Sequence, residues 1–285
     1  MTDSITPDPL AASLAVQRVR HELVRRALQV RRAVRISPNF MRVTLAGDAL
    51  KGFASASFDD HVKLMLPAPG QTELMLPDFN PGSPGGPRFA EGAPRPVMRD
   101  YTPRRFDAAA GELDIEFALH GDGPAAAWAA QAQPGQNVAI GGPRGSFVIP
   151  TGFDWHLFIA DNTGLPAVAR RLEELPAGCR AIVIMAVEEA DRRVLTSAAM
   201  LDVTWVAPQP APADAAAADH SPLAVATRSL KLPAGEGYAW AAGEAHTIAA
   251  VRRTLVAQHG LDKSRIRAAS YWKQGAAAHH ENLAD

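Results

Sequence analysis

Between residues 29 and 149, apolar and polar positions alternate in short runs at 29–36, 40–46, 61–66, 97–104, 112–119, 137–140 and 146–149, each bounded by turn residues. A period of two over such lengths predicts strands, and a series of them at this spacing predicts a small antiparallel barrel. After Thr151 the rhythm changes. Strand-like runs at 155–160, 181–187, 202–206, 238–242 and 266–270 now alternate with helix-period segments at 165–175 and 245–258. Alternation of this kind predicts a parallel sheet flanked by helices. Such a sheet receives ligands at the carboxyl ends of its strands, here the loops after Ala160, Val187 and Ala242. The pattern as a whole predicts a β-barrel plus α/β chain, with domains at 1–150 and 151–285.

Three segments break the pattern. Residues 1–14, with Pro7 and Pro9, read as a loose tail. Residues 67–96 are crowded with Gly and Pro and read as a long surface loop that either stays mobile or forms a lid. Residues 207–219 form an Ala/Pro stretch read as a flexible connector. The length of 285 residues suits two domains, and 47% hydrophobic with 21% charged residues is the balance of a globular chain. A formal net charge of -1 argues against nucleic-acid binding. The local exception, Arg18, Arg20, Arg25, Arg26, Arg31, Arg32 and Arg35, lacks interleaved aromatics and reads as an exposed amphipathic segment leading into the first strand. Cys179 is the single cysteine, so neither a disulfide framework nor a cysteine-ligated zinc or iron–sulfur centre fits within one chain. With no membrane-length apolar run and no secretion signal, a soluble cytoplasmic protein is expected, with a monomer favoured.

Candidate chemistry concentrates at two places. On a strand through 97–104, Arg99, Tyr101 and Pro103 share one face. A guanidinium grips phosphate through paired donors while a phenol ring lies against a flat ring, so the set suits a flavin nucleotide. An ordinary barrel strand with solvated arginines carries the same residues. Just beyond a later strand, the run from His120 to Ala129 combines a Gly turn with Pro124 at the start of a short helix, whose free N–H groups would face an anion.

The two blocks, Arg99-x-Tyr101-Thr102-x-Arg104 and His120-Gly121-x-Gly123-Pro124-Ala125-x-x-Trp128-Ala129, resemble the siderophore-interacting proteins. These are flavin-dependent ferric-siderophore reductases built like the ferredoxin–NADP reductases. The likeness extends to Ser37–Leu45, Asp60–Leu64, Ile159–Ala167, Trp240–Ala245 with Arg252, Arg253 and Leu255, and Tyr271–Gly275. The resemblance implies an FAD site in which Arg99 holds the phosphates, Tyr101 packs on the isoalloxazine and Thr102 bonds near N5. Arg104, His120 and the turn of Gly123, Pro124, Ala125 and Ala126 complete that site. Trp272 covers the flavin or guards the nicotinamide position, or simply packs at the C-terminal core. Ala126 stands where serine is common, implying a somewhat weaker hold on phosphate.

For NAD(P)H, no G-x-G-x-x-G is present. The resemblance places Asp161, Asn162, Thr163 and Gly164 at the pyrophosphate, with Gly243 and Glu244 nearby. The usual pattern there is Gly-Asp-Glu-Thr-Ala-Leu-Pro, so Ala160 and Asn162 depart from it. Arg192 and Arg193 suit a 2′-phosphate and hence NADPH, whereas Glu188 and Glu189 suit the 2′-hydroxyl of NADH. Lys63 and Lys273 are either surface lysines or cations for an anionic ferric siderophore. The nine histidines show no metal-ligand spacing, and no Gly-x-Ser-x-Gly elbow exists. The expected function is NAD(P)H-dependent ferric-siderophore reduction through FAD, with no catalytic side chain required. A reductase for free flavin, quinone or a partner protein, and a non-enzymatic siderophore binder, remain the alternatives.

Overall fold

The computed structural model describes residues 13–68, 70–76, 91–92, 94–119, 123–276 and 281–283. Residues 20–145 with 189–191 form one unit; residues 146–188 and 192–285, with the described residues before 20, form the other. In chain order the strands of the first region are β1 (Gln17–Arg20), β2 (Arg25–Ser37), β3 (Phe40–Ala46), β4 (Val62–Leu66), β5 (Val97–Tyr101), β6 (Arg105–Asp107), β7 (Glu112–Ala118), β8 (Asn137–Gly141) and β9 (Gly145–Val148), with helix α1 at Pro124–Ala130.

Seven of these strands form one antiparallel sheet in the order β5-β4-β8-β2-β3-β7-β6. Leu28, Val30, Val43, Leu45, Leu64, Leu113, Ile115, Phe117, Val138 and Ile140 enclose a single apolar cluster. The sheet is thus curled around one core. Its end strands, β5 and β6, share no ladder among the described residues, so the barrel is not closed by hydrogen bonds. Two expected strands differ. The run at 97–104 breaks after Tyr101, because Pro103 has no N–H for a ladder, and β6 resumes at Arg105. The run at 146–149 becomes β9, which pairs with β1 outside the barrel.

Alternation is strict in β7, yet both of its faces are buried. Leu113, Ile115 and Phe117 face the core, while the opposite face carries Glu112, Asp114 and Glu116. Arginines cover these acids: Arg32 grips Glu112 with two bonds of 2.7 and 2.8 Å, Arg105 reaches Asp114 at 2.8 Å, and Arg42 reaches Glu116 at 2.6 Å. The hydrogen bonds from Arg32, aided by Arg105 and Arg31, hold the Glu112 carboxyl down at about 2. The arginines from Arg25 to Arg35 therefore belong to β2 itself rather than to an exposed lead-in. Arg26 is buried and donates to the carbonyls of Ala49, Lys51 and Gly52.

The second unit continues with β10 (Trp155–Asp161), α2 (Leu165–Glu174), β11 (Arg180–Ala186), β12 (Met200–Val206), α3 (Ala215–Ala218), α4 (Pro222–Arg228), β13 (Gly237–Glu244), α5 (Ala245–Ala257), β14 (Ile266–Trp272) and β15 (Glu281–Asn282). The strand order is β12-β11-β10-β13-β14-β15. The first five are parallel; β15 is antiparallel, so the sheet is mixed at that edge. β10, β11 and β13 are almost wholly buried, the mark of strands covered on both faces. From β10 the chain runs outward to β12, then returns to the other flank of β10 as β13. The carboxyl ends of β10 and β13 therefore flank the topological switch point.

Residues 207–219 are not a structureless connector. Asp214 caps α3 by accepting from the Ala217 N–H at 2.8 Å, and Ala218 is fully buried against Ala224 and Ala250. The alanine run favours helix, and its small side chains allow close packing. Leu14, at the end of the expected tail, is also buried, and its carbonyl accepts from Arg265 at 3.2 Å. The rest of that tail up to residue 12 lies outside the described residues, as do 69, 77–90 and 93 of the long loop. What is described of that loop is neither helix nor strand. No helix among the described residues is long and apolar enough to cross a membrane.

His156 of β10 is 1% exposed and stacks parallel to Phe158 at 6.2 Å, with Phe153 edge-on at 5.7 Å. Burial, with the nearby Arg171 charge, pushes the imidazole down to about 4. The unfolded chain takes up this proton at its ordinary value near 6.5, so the stability is present above that pH and is lost as pH falls toward 4. The expected loss across that window is about 3 kcal/mol. Urea titrations at stepped pH should show it, and His156→Phe should flatten the slope; an unchanged slope in the variant contradicts the assignment.

Candidate functional site

Register places the barrel residues. Arg99 pairs with Leu64 and Tyr101 with Val62, so both project on the side of the sheet whose β4 residues enter the core. Tyr101 packs on Phe117 with ring centroids 4.3 Å apart, and Phe117 meets Trp128 of α1 at 5.8 Å. This aromatic chain ties β5, β7 and α1 together. Burial pushes the Tyr101 phenol well above its usual range, partly offset by Arg99. Arg99 gives one N–H to the Met98 carbonyl at 2.8 Å, which leaves further guanidinium donors for a ligand. Gly123 is the N-cap of α1 with Pro124 next, and among the described residues no side chain caps the helix, which leaves the first-turn N–H groups of Ala125 and Ala126 without a side-chain acceptor from those residues. Thr102 is buried. Arg104 faces the buried Glu116 at 3.6 Å. His120 lies outside the described residues. A cation beside an aromatic ring, together with an uncapped helix turn, forms a donor set that fits a flavin nucleotide.

In the sheet unit, Asp161 ends β10 and N-caps the turn of Asn162, Thr163 and Gly164 that leads into α2. Its Oδ1 accepts from the Thr163 N–H at 2.9 Å and from Thr163 Oγ1 at 2.5 Å. Its Oδ2 accepts from the Glu244 N–H at 3.0 Å and from Trp272 Nε1 at 2.8 Å. Asp161, Thr163, Gly243, Glu244 and Trp272 are thus gathered at the switch point, Trp272 standing with residues expected to meet the dinucleotide. Burial outweighs these bonds and holds the Asp161 carboxyl above its usual range.

The departure at Ala160 has a steric reading. A Cβ on Gly164 would lie 2.6 Å from the Cβ of Ala160, closer than two methyls can approach. The usual pattern carries glycine at the first position and alanine at the fifth; this chain carries the reverse, so the slot still holds one methyl. Gly164→Ala should destabilise by about 1 to 3 kcal/mol, and Ala160→Gly added to it should recover most of the loss. A double-mutant cycle by denaturant unfolding checks this; strictly additive effects would sink it.

Arg192 is exposed and Arg193 half-buried. The residue before them, Asp191, is buried and accepts from Ser37 Oγ at 2.6 Å, the Asn39 N–H at 2.8 Å and Asn39 Nδ2 at 2.8 Å. Nothing in the local sequence signals that anchor, since its partners lie some 150 positions away. Lys63 is paired with Asp100 at 2.7 Å across β4 and β5, so its ammonium already has a protein partner. Once the β4–β5 register is known, that pairing follows; sequence alone missed it. Lys273 is exposed.

Comparison with known proteins gives consistent results. The family described as Siderophore-interacting FAD-binding domain matches residues 29–147, and the family described as Siderophore-interacting protein matches residues 153–275. The chain is 38% identical over 262 residues to the NADPH-dependent ferric-chelate reductase of Escherichia coli K12, covering 90% of this chain and 96% of that one. It is 31% identical over 252 residues to the ferric vibriobactin reductase ViuB of Vibrio cholerae, covering 86% and 89%. The crystal structure of a siderophore utilization protein from T. fusca superposes with a TM-score of 0.79 at 34% identity, covering 93% of this chain and 98% of that one. The chain belongs to the siderophore-interacting protein family.

Proposed function

We propose that this protein is an FAD-dependent reductase that takes electrons from NADPH and delivers them to Fe(III) held by a siderophore, releasing the metal as Fe(II). The observation that carries the reading is the placement of Arg99 and Tyr101 on one face of β5, braced through Phe117 to α1. Arg99 and the first turn of α1 hold the phosphates of FAD, the Tyr101 ring lies against its flat system, and Thr102 supplies a hydroxyl at its edge. When bound, FAD would supply a carrier able to take up a hydride and release electrons one at a time, so that one NADPH could serve two ferric ions. The turn from Asn162 to Gly164 meets the NADPH pyrophosphate, and Arg192 with Arg193 meets the 2′-phosphate.

Iron enters as substrate inside its chelator. Hard oxygen ligands hold Fe(III) far better than Fe(II), so reduction loosens the complex. Lys273, exposed beside Trp272, offers a point charge to an anionic chelate; Lys63 can do so only by sharing Asp100. We place the reaction in the cytoplasm, where NADPH is supplied. An absorbance spectrum of the purified protein tests the reading: a flavin band should bleach with NADPH under anaerobic conditions and return on adding a ferric siderophore. Reoxidation only by quinone or free flavin would favour a general flavin reductase, and siderophore binding without NADPH oxidation would favour a binding protein.

A further inference from the structure

Asp161 has both oxygens committed within the protein, to donors from three strand ends: the Thr163 N–H and hydroxyl after β10, the Glu244 N–H at the end of β13, and the indole of Trp272 at the end of β14. The backbone of β13 lies close against it at Gly243. Gly243 has a φ of 153°, the ladder to β14 shifts register between Gly243 and Glu244, and a Cβ on Gly243 would lie 2.5 Å from Asp161 Oδ2. Glu244, fixed through its backbone by Asp161, turns Oε2 to the Thr247 N–H at 2.9 Å and so caps α5. Its other oxygen, Oε1, is buried and receives no hydrogen bond from the described residues. The cradle at the switch point therefore keeps one open acceptor, and it is on Glu244, not on Asp161.

We propose that Asp161 is a positioning residue for the nicotinamide nucleotide, which it does not touch: its carboxyl ties the Thr163 turn to Glu244 and Trp272, so that the two halves of the crevice form one preorganised cradle. The proposal rests on the reading of this crevice as the NADPH site. Aspartate is suited to the task because it is acceptor-only, and all four partners are donors. Asparagine in the same place would turn its NH2 either toward the Glu244 amide and the Trp272 indole or toward the Thr163 amide, breaking one side of the tie at nearly constant volume.

The test compares the FAD-loaded native protein with Asp161→Asn, Trp272→Phe and the double variant, by calorimetric titration with NADP+ and by NMR of the indole N–H groups of the five tryptophans. The signal lost in Trp272→Phe identifies Trp272; in Asp161→Asn that signal should shift while the other four hold. Each single variant should weaken NADP+ binding about tenfold, and the double variant should be no weaker than the poorer single one, since both remove the same tie. Flavin content should stay unchanged throughout. An unshifted Trp272 signal in Asp161→Asn overturns the proposal, as does native NADP+ affinity in Trp272→Phe, which decides the matter should the asparagine variant not fold. Native protein that binds no NADP+ would instead remove the reading of the crevice on which the proposal stands.

Discussion

Arg99→Ala should purify largely without flavin. The guanidinium stands on the same face of β5 as the Tyr101 ring, and among the described residues it gives a single N–H to the Met98 carbonyl. Two charge-assisted bonds to phosphate contribute about 3 to 4 kcal/mol together, equivalent to roughly two to three orders of magnitude in the dissociation constant. The fold should survive, because the core beneath is built from Leu64, Val62, Phe117 and their neighbours rather than from Arg99. The ratio of flavin to protein absorbance after dialysis reads the outcome. A variant that stays yellow at full stoichiometry shows that the phosphates lie elsewhere.

The second large effect belongs to the sheet unit. Gly243→Ala puts a side chain on a residue at φ 153°, and its Cβ would meet Asp161 Oδ2 at 2.5 Å. Glycine alone adopts that backbone region freely, and the strain for alanine is about 1 to 3 kcal/mol. The clash adds to it. The carboxyl must retreat from the methyl, which costs its bonds to the Glu244 amide and the Trp272 indole. A total of about 3 to 5 kcal/mol is expected, visible as a lowered denaturation midpoint with weakened NADP+ binding. Near-native stability would mean that the β13 bulge relaxes freely.

Much of this was legible in the chain. The runs that became β3, β4, β7, β10 and β11 could be read because their alternation or continuous apolar character follows directly from which faces are covered. α1 and α2 were announced by Pro124 and Pro166 in their first turns. The break after Tyr101 was missed although Pro103 marked it, since a single proline is tolerated at a strand edge. The alanine run at 215–218 was misread as a linker, because composition does not reveal that Ala224 and Ala250 wait to bury it. The arginines of β2 read as an exposed amphipathic segment leading into the first strand until β7 was laid two strands away, bringing Glu112 and its neighbours beneath them.

By itself the sequence determined the class of each half, the strand bearing Arg99 and Tyr101, and the position of the two Gly- and Pro-marked turns proposed to meet phosphates, because these depend on local periodicity and on residues adjacent in the chain. Tertiary structure alone decided which charges are already spoken for across the chain: Lys63 by Asp100, Asp161 by Glu244 and Trp272, and Asp191 by Ser37 and Asn39. Hydrogen bonds and ion pairs act over a few ångströms. Whether two groups separated by 37 to 154 positions come that close depends on strand order and register, which no local pattern encodes.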